Sequence, residues 1–577
     1  MRILKTVLVV LAFSALPLSA AAQQVDALGQ VVDRIISQEQ VEMNSLKPYT
    51  PLVETYIQNL RGDKDLGTAP AGDKYFMGRA ILAKGIDLEP LTDGGENGEG
   101  VKKKMLGGLG SMFSLSMEYL PRGFLQMIYI DDNGFDKQHY KFDYVRREFL
   151  GEVRTLVFDV TPLPKSGKGR FMGRIWVEDQ DFHIVRFNGA YEGSSRTSYY
   201  FHFDSWRVNS GPNLWLPAFI YSEESDLNFA LAKRLSFKAQ TRLWGYNLGH
   251  SAQEQELSKI LIESQTPVKD QTTTSNDFNP VMAQRSWDRQ AEDNVVDRLE
   301  RLGLLAPDGD VDKVLETVVN NLEVTNNLDI QPEIRCRVLL TSTLESFTIG
   351  HTIVFSRGLI DVLPDEASLA MMVADEMGHV VLGHRIDGQY AFFDRLLFDE
   401  KDTFRHFGFA RTAEEEEAAN AKANELLKNS PYKDQLATAK LFLDALDNRQ
   451  KDIPNLISPH LGDRVPANSA LAAAGASTSV QPTTTAASAD PKAQSAQTQI
   501  IALPLGGRIK MDPWSDKLEM LKAKPVGSVA EREKMPFEVT PFMLYLTREN
   551  NTNSAMLPGA VSANSKEATV NKVTPQQ

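Results

Sequence analysis

Four potentially reactive side chains fall within ten residues, Asp375, Glu376, His379 and His384. Just upstream, Pro364, Asp365 and Glu366 suit a helix start: proline lacks only an N–H that would be unpaired there, and acids favour the positive end of the dipole. A helix over about 365–384 follows. At 100° per residue, Asp375 and His379 stand 40° apart on one face, where a carboxylate oxygen and an imidazole nitrogen can grip one cation. Aspartate is a harder donor than histidine and reaches roughly an ångström less far. His384 lies five residues beyond His379, 140° around the helix, and reads as a neighbour of such a site or a surface residue. The chain has no phosphate loop, no G-x-S-x-G elbow and no dinucleotide fingerprint. Its one cysteine, Cys336, excludes intramolecular disulfides and Cys-rich zinc sites.

The elements that must position these groups belong to a long chain. Its 577 residues exceed one hydrophobic core. With 42% apolar and 24% charged residues it is neither collagen-like, wholly disordered nor multi-spanning. A net charge of −14 argues against nucleic acid as a partner, since phosphate binding needs a basic face. Arg2 and Lys5, the apolar run Val7–Leu18 and the small residues Ala20–Ala22 read as a secretory signal peptide over 1–22. The mature chain is then expected to begin near Gln23 and to be exported, to the periplasm or cell envelope. No later stretch has the length and purity of a membrane span.

Residues 28–60 carry a helical apolar spacing, interrupted near Pro48. Residues 85–110 are glycine-rich and read as a loop. From about 120 to 245, runs rich in Phe, Tyr, Val and Ile recur: Phe124–Ile130, Glu148–Pro162, Gly169–Glu178, His183–Tyr191 and Tyr199–Val208. Separated by turn residues, they predict an antiparallel meander that curls. Along Gly169–Glu178 the set Phe171, Gly173, Ile175 and Val177 is the more apolar and is expected to face inward. A polar linker is expected over 251–284, a mainly helical domain with two strand-like runs over 285–465, a disordered Ala/Ser/Thr/Pro tract over 466–500, a hairpin within 501–550 and a disordered tail from 551.

Two resemblances emerge from these residues. The stretch REFLGEVRTLVFDVTPLPKSGKGRFMGRIWVEDQDFHIVRFNGAY is similar to the middle strands of the outer-membrane lipoprotein-sorting carriers, the LolA/LolB-like fold. That likeness implies a curved half-barrel over 23–250, with lipid or lipoprotein as a partner. The words IRCRVLLTSTLESFTIGHTIVFSRGLIDVL and DEMGH resemble the strands and the H-E-x-x-H helix of the HtpX-like zinc metallopeptidases, which include the CAAX prenyl proteases. This second resemblance covers about 285–440 and implies a zincin-like domain acting on polypeptide. It places Glu376 as general base, His379 as a zinc ligand and His351 in the turn bordering the cleft.

The departures from that pattern matter. Asp375 stands where the family has its first histidine. The family's third ligand is a glutamate followed by Ala-Asp. Within TAEEEEAANAKANELLKNSPY, matching on Glu-Ala makes the ligand Glu417, with Ala419 for the aspartate; matching on the later words puts the ligand position at Ala418 and the aspartate at Asn420. Glu414 to Glu417 also read as a solvated acidic helix start. The resemblance thus implies a zinc site of Asp375, His379 and Glu417, weak or absent, on an α+β multidomain protein. Catalysis by this degenerate D-E-x-x-H motif is expected to be weak or lost, leaving a pseudopeptidase that acts on or holds polypeptide. The alternative is a lipid or lipoprotein carrier acting through the β-domain.

Overall fold

In the computed structural model the described residues are 28–63, 67–83, 85–91, 121–131, 134–167, 169–191, 201–229, 233–246, 280–385, 391, 408–464, 509–511, 518–520, 537–541 and 543–548. The expected signal peptide, most of the expected 251–284 linker, the expected 466–500 tract, the expected tail from 551 and most of the glycine-rich stretch 85–110 lie outside them.

The first half is built on one sheet of ten antiparallel strands. These are β1 (Leu52–Asp63), β2 (Gly67–Ile81), β3 (Asp87–Pro90), β4 (Tyr140–Leu150), β5 (Val153–Pro162), β6 (Phe171–Glu178), β7 (Ile184–Tyr191), β8 (His202–Gly211), β9 (Leu214–Phe229) and β10 (Lys233–Trp244). Their order is β3-β2-β1-β10-β9-β8-β7-β6-β5-β4, so among the described residues β3 and β4 are the edge strands and the sheet does not close. Strands β4 to β10 form a meander, and β1 returns to pair with β10.

Three local expectations are corrected. Residues 52–60 form strand β1, not helix. Val53 and Ile57 enter one core and Tyr56 another, so burial on both sides hides the period-2 alternation and leaves a helix-like spacing. Residues 124–130 hold a helical turn, α2 (Pro121–Leu125), and a 3₁₀ turn (Gln126–Ile128) where a strand is expected. A short, fully buried apolar run carries no period that separates the two. The single run Glu148–Pro162 is two strands, folded at Gly151 with φ +66°.

One sheet face, with Val53, Ile57, Phe158, Phe187 and Phe203, packs under helix α1 (residues 28–46) through Val32, Ile35, Ile36 and Leu46. Phe171, Ile175 and Val177 lie on this face, fully buried, as their parity predicts, while Met172 is half exposed. Buried polar contacts pin the helix: Glu39 pairs with both terminal guanidinium nitrogens of Arg207 at 2.6 and 2.7 Å, and a Glu42 carboxylate oxygen lies 2.6 Å from His183 Nδ1. On the opposite face the Arg186 guanidinium lies 4.2 Å from the Trp176 ring and 4.5 Å from that of Trp206, and pairs with Asp204 at 2.8 Å.

The second half contains α3 (Pro280–Arg301), α4 (Asp310–Thr325), β11 (Arg335–Leu339), β12 (Glu345–Ile349), β13 (Thr352–Ser356), α5 (Arg357–Val362), α6 (Glu366–Leu382), α7 (Ala413–Lys428), α8 (Leu436–Arg449), α9 (Pro454–Ile457) and β14 (Asp463–Arg464). It is an α+β unit, with a four-stranded mixed sheet in the order β11-β13-β12-β14. Helix α3 starts inside the expected linker, at Pro280. No helix among the described residues is long and apolar enough to cross a membrane.

The two halves share a buried seam. The Glu54 carboxylate accepts from Ser342 N and Oγ, both at 2.7 Å, and from the Tyr75 hydroxyl at 2.9 Å. Asp73 accepts from Asn455 N, Leu456 N and the Tyr56 hydroxyl. Near the C-terminus β15 (Ile509–Met511) and β16 (Leu518–Met520) pair as the expected hairpin. Beyond it Phe537, Val539, Leu544 and Leu546 join a core cluster containing Trp176, Trp215 and Met371, so this segment helps bind the halves together.

Candidate metal centre

Helix α6 begins where the sequence places it: Asp365 is its N-cap and accepts from Ser368 N at 2.8 Å. It ends at Gly383, whose φ of +73° suits a residue without Cβ. The helix is apolar nearly all round because it packs against β12, β13 and helices α4, α7 and α8. Into that setting it carries three buried ionisable side chains, Asp375, Glu376 and His379, each at most 3% exposed. Burying such groups is costly unless they are partnered or bind an ion.

Helix α7 supplies the third donor. The ligand atoms of Asp375, His379 and Glu416 all lie within 4.8 Å of one another, and His379 Nε2 is 3.7 Å from Glu416 Oε1. Donors about 2.0–2.2 Å from one zinc ion lie at most ~4.4 Å apart. A modest contraction of these side chains therefore suits a cation. The carboxylate beside His379 is thus that of Glu416, whereas Glu417 is exposed and outside the cluster.

Helix packing explains the difference. Ala419, Asn420, Ala423, Leu426 and Leu427 form the buried stripe of α7, and Glu416 continues it one turn back. Glu417 is turned a further 100° away. A Cβ on Gly378 would lie 2.6 Å from the Ala419 carbonyl oxygen. The glycine therefore lets the two helix backbones touch and delivers Glu416 to His379. Glu415 is engaged elsewhere: with Thr412 it forms the capping box of α7. The acidic run divides into one cap, one site residue and two exposed neighbours, Glu414 and Glu417.

Burial, reinforced by the positive charge of Arg411 and by His384, pushes the His379 imidazole down to about 4. It is therefore neutral at physiological pH, the form that can donate a lone pair to a metal. His379 Nδ1 lies 2.9 Å from His384 Nδ1, which fixes the ring and leaves Nε2 facing Glu416. Arg411 donates to the Thr348 carbonyl at 3.1 Å and hydroxyl at 2.7 Å, bridging the site to β12. His351 sits in the β12–β13 turn, 3.6 Å from Glu292, and is not among the cluster residues. Nothing in the sequence singles out Arg411. Glu416 has a signal: it stands seven residues before Ala423 on the stripe that later reaches Leu427.

No protein-family model matches the chain, and no curated protein sequence matches it significantly.

Proposed function

We propose that this chain is an exported, cell-envelope relative of the HtpX-like zinc metalloendopeptidases that holds polypeptide in a cleft beside α6, with peptide hydrolysis weak or lost. The observation that carries this reading is the Asp–His–Glu donor set formed where α6 and α7 touch, with the buried Glu376 one residue from Asp375. The donor set fits a divalent cation: two carboxylates would balance its charge and one neutral imidazole would supply the third donor. With Asp375 in place of a second imidazole the site is harder, which weakens its preference for zinc. When bound, zinc would polarise a carbonyl and acidify a water molecule. Asp375, His379 and Glu416 would hold the ion, His384 would orient His379, and Glu376 would take the proton.

A second reading, lipid or lipoprotein binding by the β-domain, draws support from an open ten-stranded sheet with a helix laid on one apolar face. Its weakness is that the described side chains fill that face: Phe158, Phe171, Ile175, Phe187 and Phe203 are all at 0% exposure. We therefore adopt the first reading, with the β-domain as a scaffold for the helical half. The deciding experiment is metal analysis of tag-free protein, together with cleavage of fluorescein-labelled casein by wild type and Glu376→Gln. Bound metal with Glu376-dependent cleavage would establish a peptidase, and bound metal without cleavage a holding protein. A protein that takes up no divalent metal would sink the reading.

A further inference from the structure

The two edges of the ten-stranded sheet differ in kind. Strand β3 is four residues long and ends on Pro90, a blunted edge that offers little to pair with. Strand β4 is 11 residues long, and among the described residues only β5 pairs with it. It carries three exposed apolar side chains, Tyr144, Val145 and Phe149, the last at 66% exposure. A long edge of this sort is a template for another strand, so its charges decide what can add to it.

The register with β5 sorts those charges. Val145 is bulged out between Tyr144, opposite Phe158, and Arg146, opposite Val157. Tyr140, Phe142, Tyr144, Arg147 and Phe149 therefore share the sheet face of Phe158, and Lys141, Asp143, Arg146 and Glu148 share the other. Along that second face Lys141 pairs with Asp143 at 2.8 Å and Arg146 with Glu148 at 2.6 Å. The signs run plus, minus, plus, minus. Read backwards they run minus, plus, minus, plus, which is the pattern an antiparallel copy of the same strand presents.

We propose that β4 is a self-association edge, to which a second copy of this chain adds its own β4 about a two-fold axis through Tyr144. With the bulged Val145 set aside, this register puts Lys141 opposite the partner's Glu148 and Asp143 opposite the partner's Arg146. On the other face Tyr140 meets the partner's Phe149, Phe142 meets the partner's Arg147, and Tyr144 meets its own copy. Each pair occurs twice, as a two-fold contact requires. The neighbouring two-fold registers are rejected. Centring the axis on Asp143 opposes two Asp143 carboxylates and sets Lys141 against Arg146. Centring it on Arg146 opposes two guanidinium groups and sets Asp143 against Glu148. Like charges directly opposite destabilise a strand pair. The contact also consumes both β4 edges, so growth there stops at two copies.

The test uses the full chain in sedimentation velocity over a range of concentrations, where a monomer–dimer equilibrium is expected. Asp143→Arg and Arg146→Asp each set like charges opposite at two symmetry-related places, and each should raise the dimer dissociation constant at least about tenfold. The double variant restores opposite charges and should recover the wild-type constant, with circular dichroism to show that each variant is folded. As an independent readout, Tyr144→Cys should give a disulfide-linked dimer on oxidation, because a directly opposed pair lies within bridging range. Phe149→Cys, equally accessible but far from its own copy along the partner strand, should not. The native Cys336 is buried and does not compete. A chain that stays monomeric at every concentration would overturn the proposal. So would a dimer that neither charge reversal weakens, or one in which Tyr144→Cys fails to cross-link, since either would place the contact on another surface.

Discussion

Replacing Glu416 by glutamine should strip the candidate centre of its third donor while leaving the fold in place. The amide keeps the shape of the carboxylate but loses its charge and most of its donor strength. Structural zinc sites bind with about 10–16 kcal/mol in total, so one of three protein ligands carries on the order of 3–5 kcal/mol. At 1.4 kcal/mol per tenfold, the dissociation constant should rise by roughly two to three and a half powers of ten. The control is Glu417→Gln, one residue on, exposed and outside the cluster, which should shift the constant by less than about threefold. Equilibrium dialysis against chelator-buffered zinc, read by mass spectrometry of the metal, measures both. The helix-stripe argument fails if Glu417→Gln loses the metal and Glu416→Gln retains it.

Further outcomes follow from the same geometry. Asp375→His, which rebuilds two imidazoles at i and i+4, should raise zinc affinity in the same dialysis assay, less about 1–3 kcal/mol for overpacking a site only 3% exposed. Gly378→Val should push α6 and α7 apart at Ala419, lowering the melting temperature and abolishing metal uptake together. Burial raises the Glu178 carboxyl, but the hydrogen bonds from Arg548 and from backbone N–H groups outweigh it and hold the group below its usual 4.5. Its contribution to stability is therefore present above pH 4.5 and lost as the pH falls through the depressed value. Arg548→Ala should accordingly flatten the acid limb of a stability-versus-pH curve measured by urea unfolding. Ile175→Asp, which puts an unpaired carboxylate at a 0% exposed position under α1, should lower the urea midpoint sharply. If that variant remains stable and the wild type takes up a hydrophobic fluorophore, the sheet face is a binding surface and not a filled core.

What the sequence by itself determined was local or periodic. The start of α6 was legible because Pro364 and Asp365 act within one turn, and the pairing of Asp375 with His379 because i and i+4 share a helix face whatever surrounds them. The inward set Phe171, Ile175 and Val177 was legible because strand parity is a property of the backbone alone. The third donor was not, since four glutamates in a row are equivalent until a neighbour selects one. The contact between Gly378 and Ala419 makes that choice, and it picks Glu416. Strand β1 was hidden because burial on both faces erases alternation. Tertiary structure alone decided that Glu54 and Asp73 lock the sheet to the helical half, and that residues near 460 and 540 return to it. Those contacts span up to 481 positions in the chain, as between Gln58 and Val539. No local pattern encodes a partner at that distance, because the partner is chosen by the shape the rest of the chain has already taken.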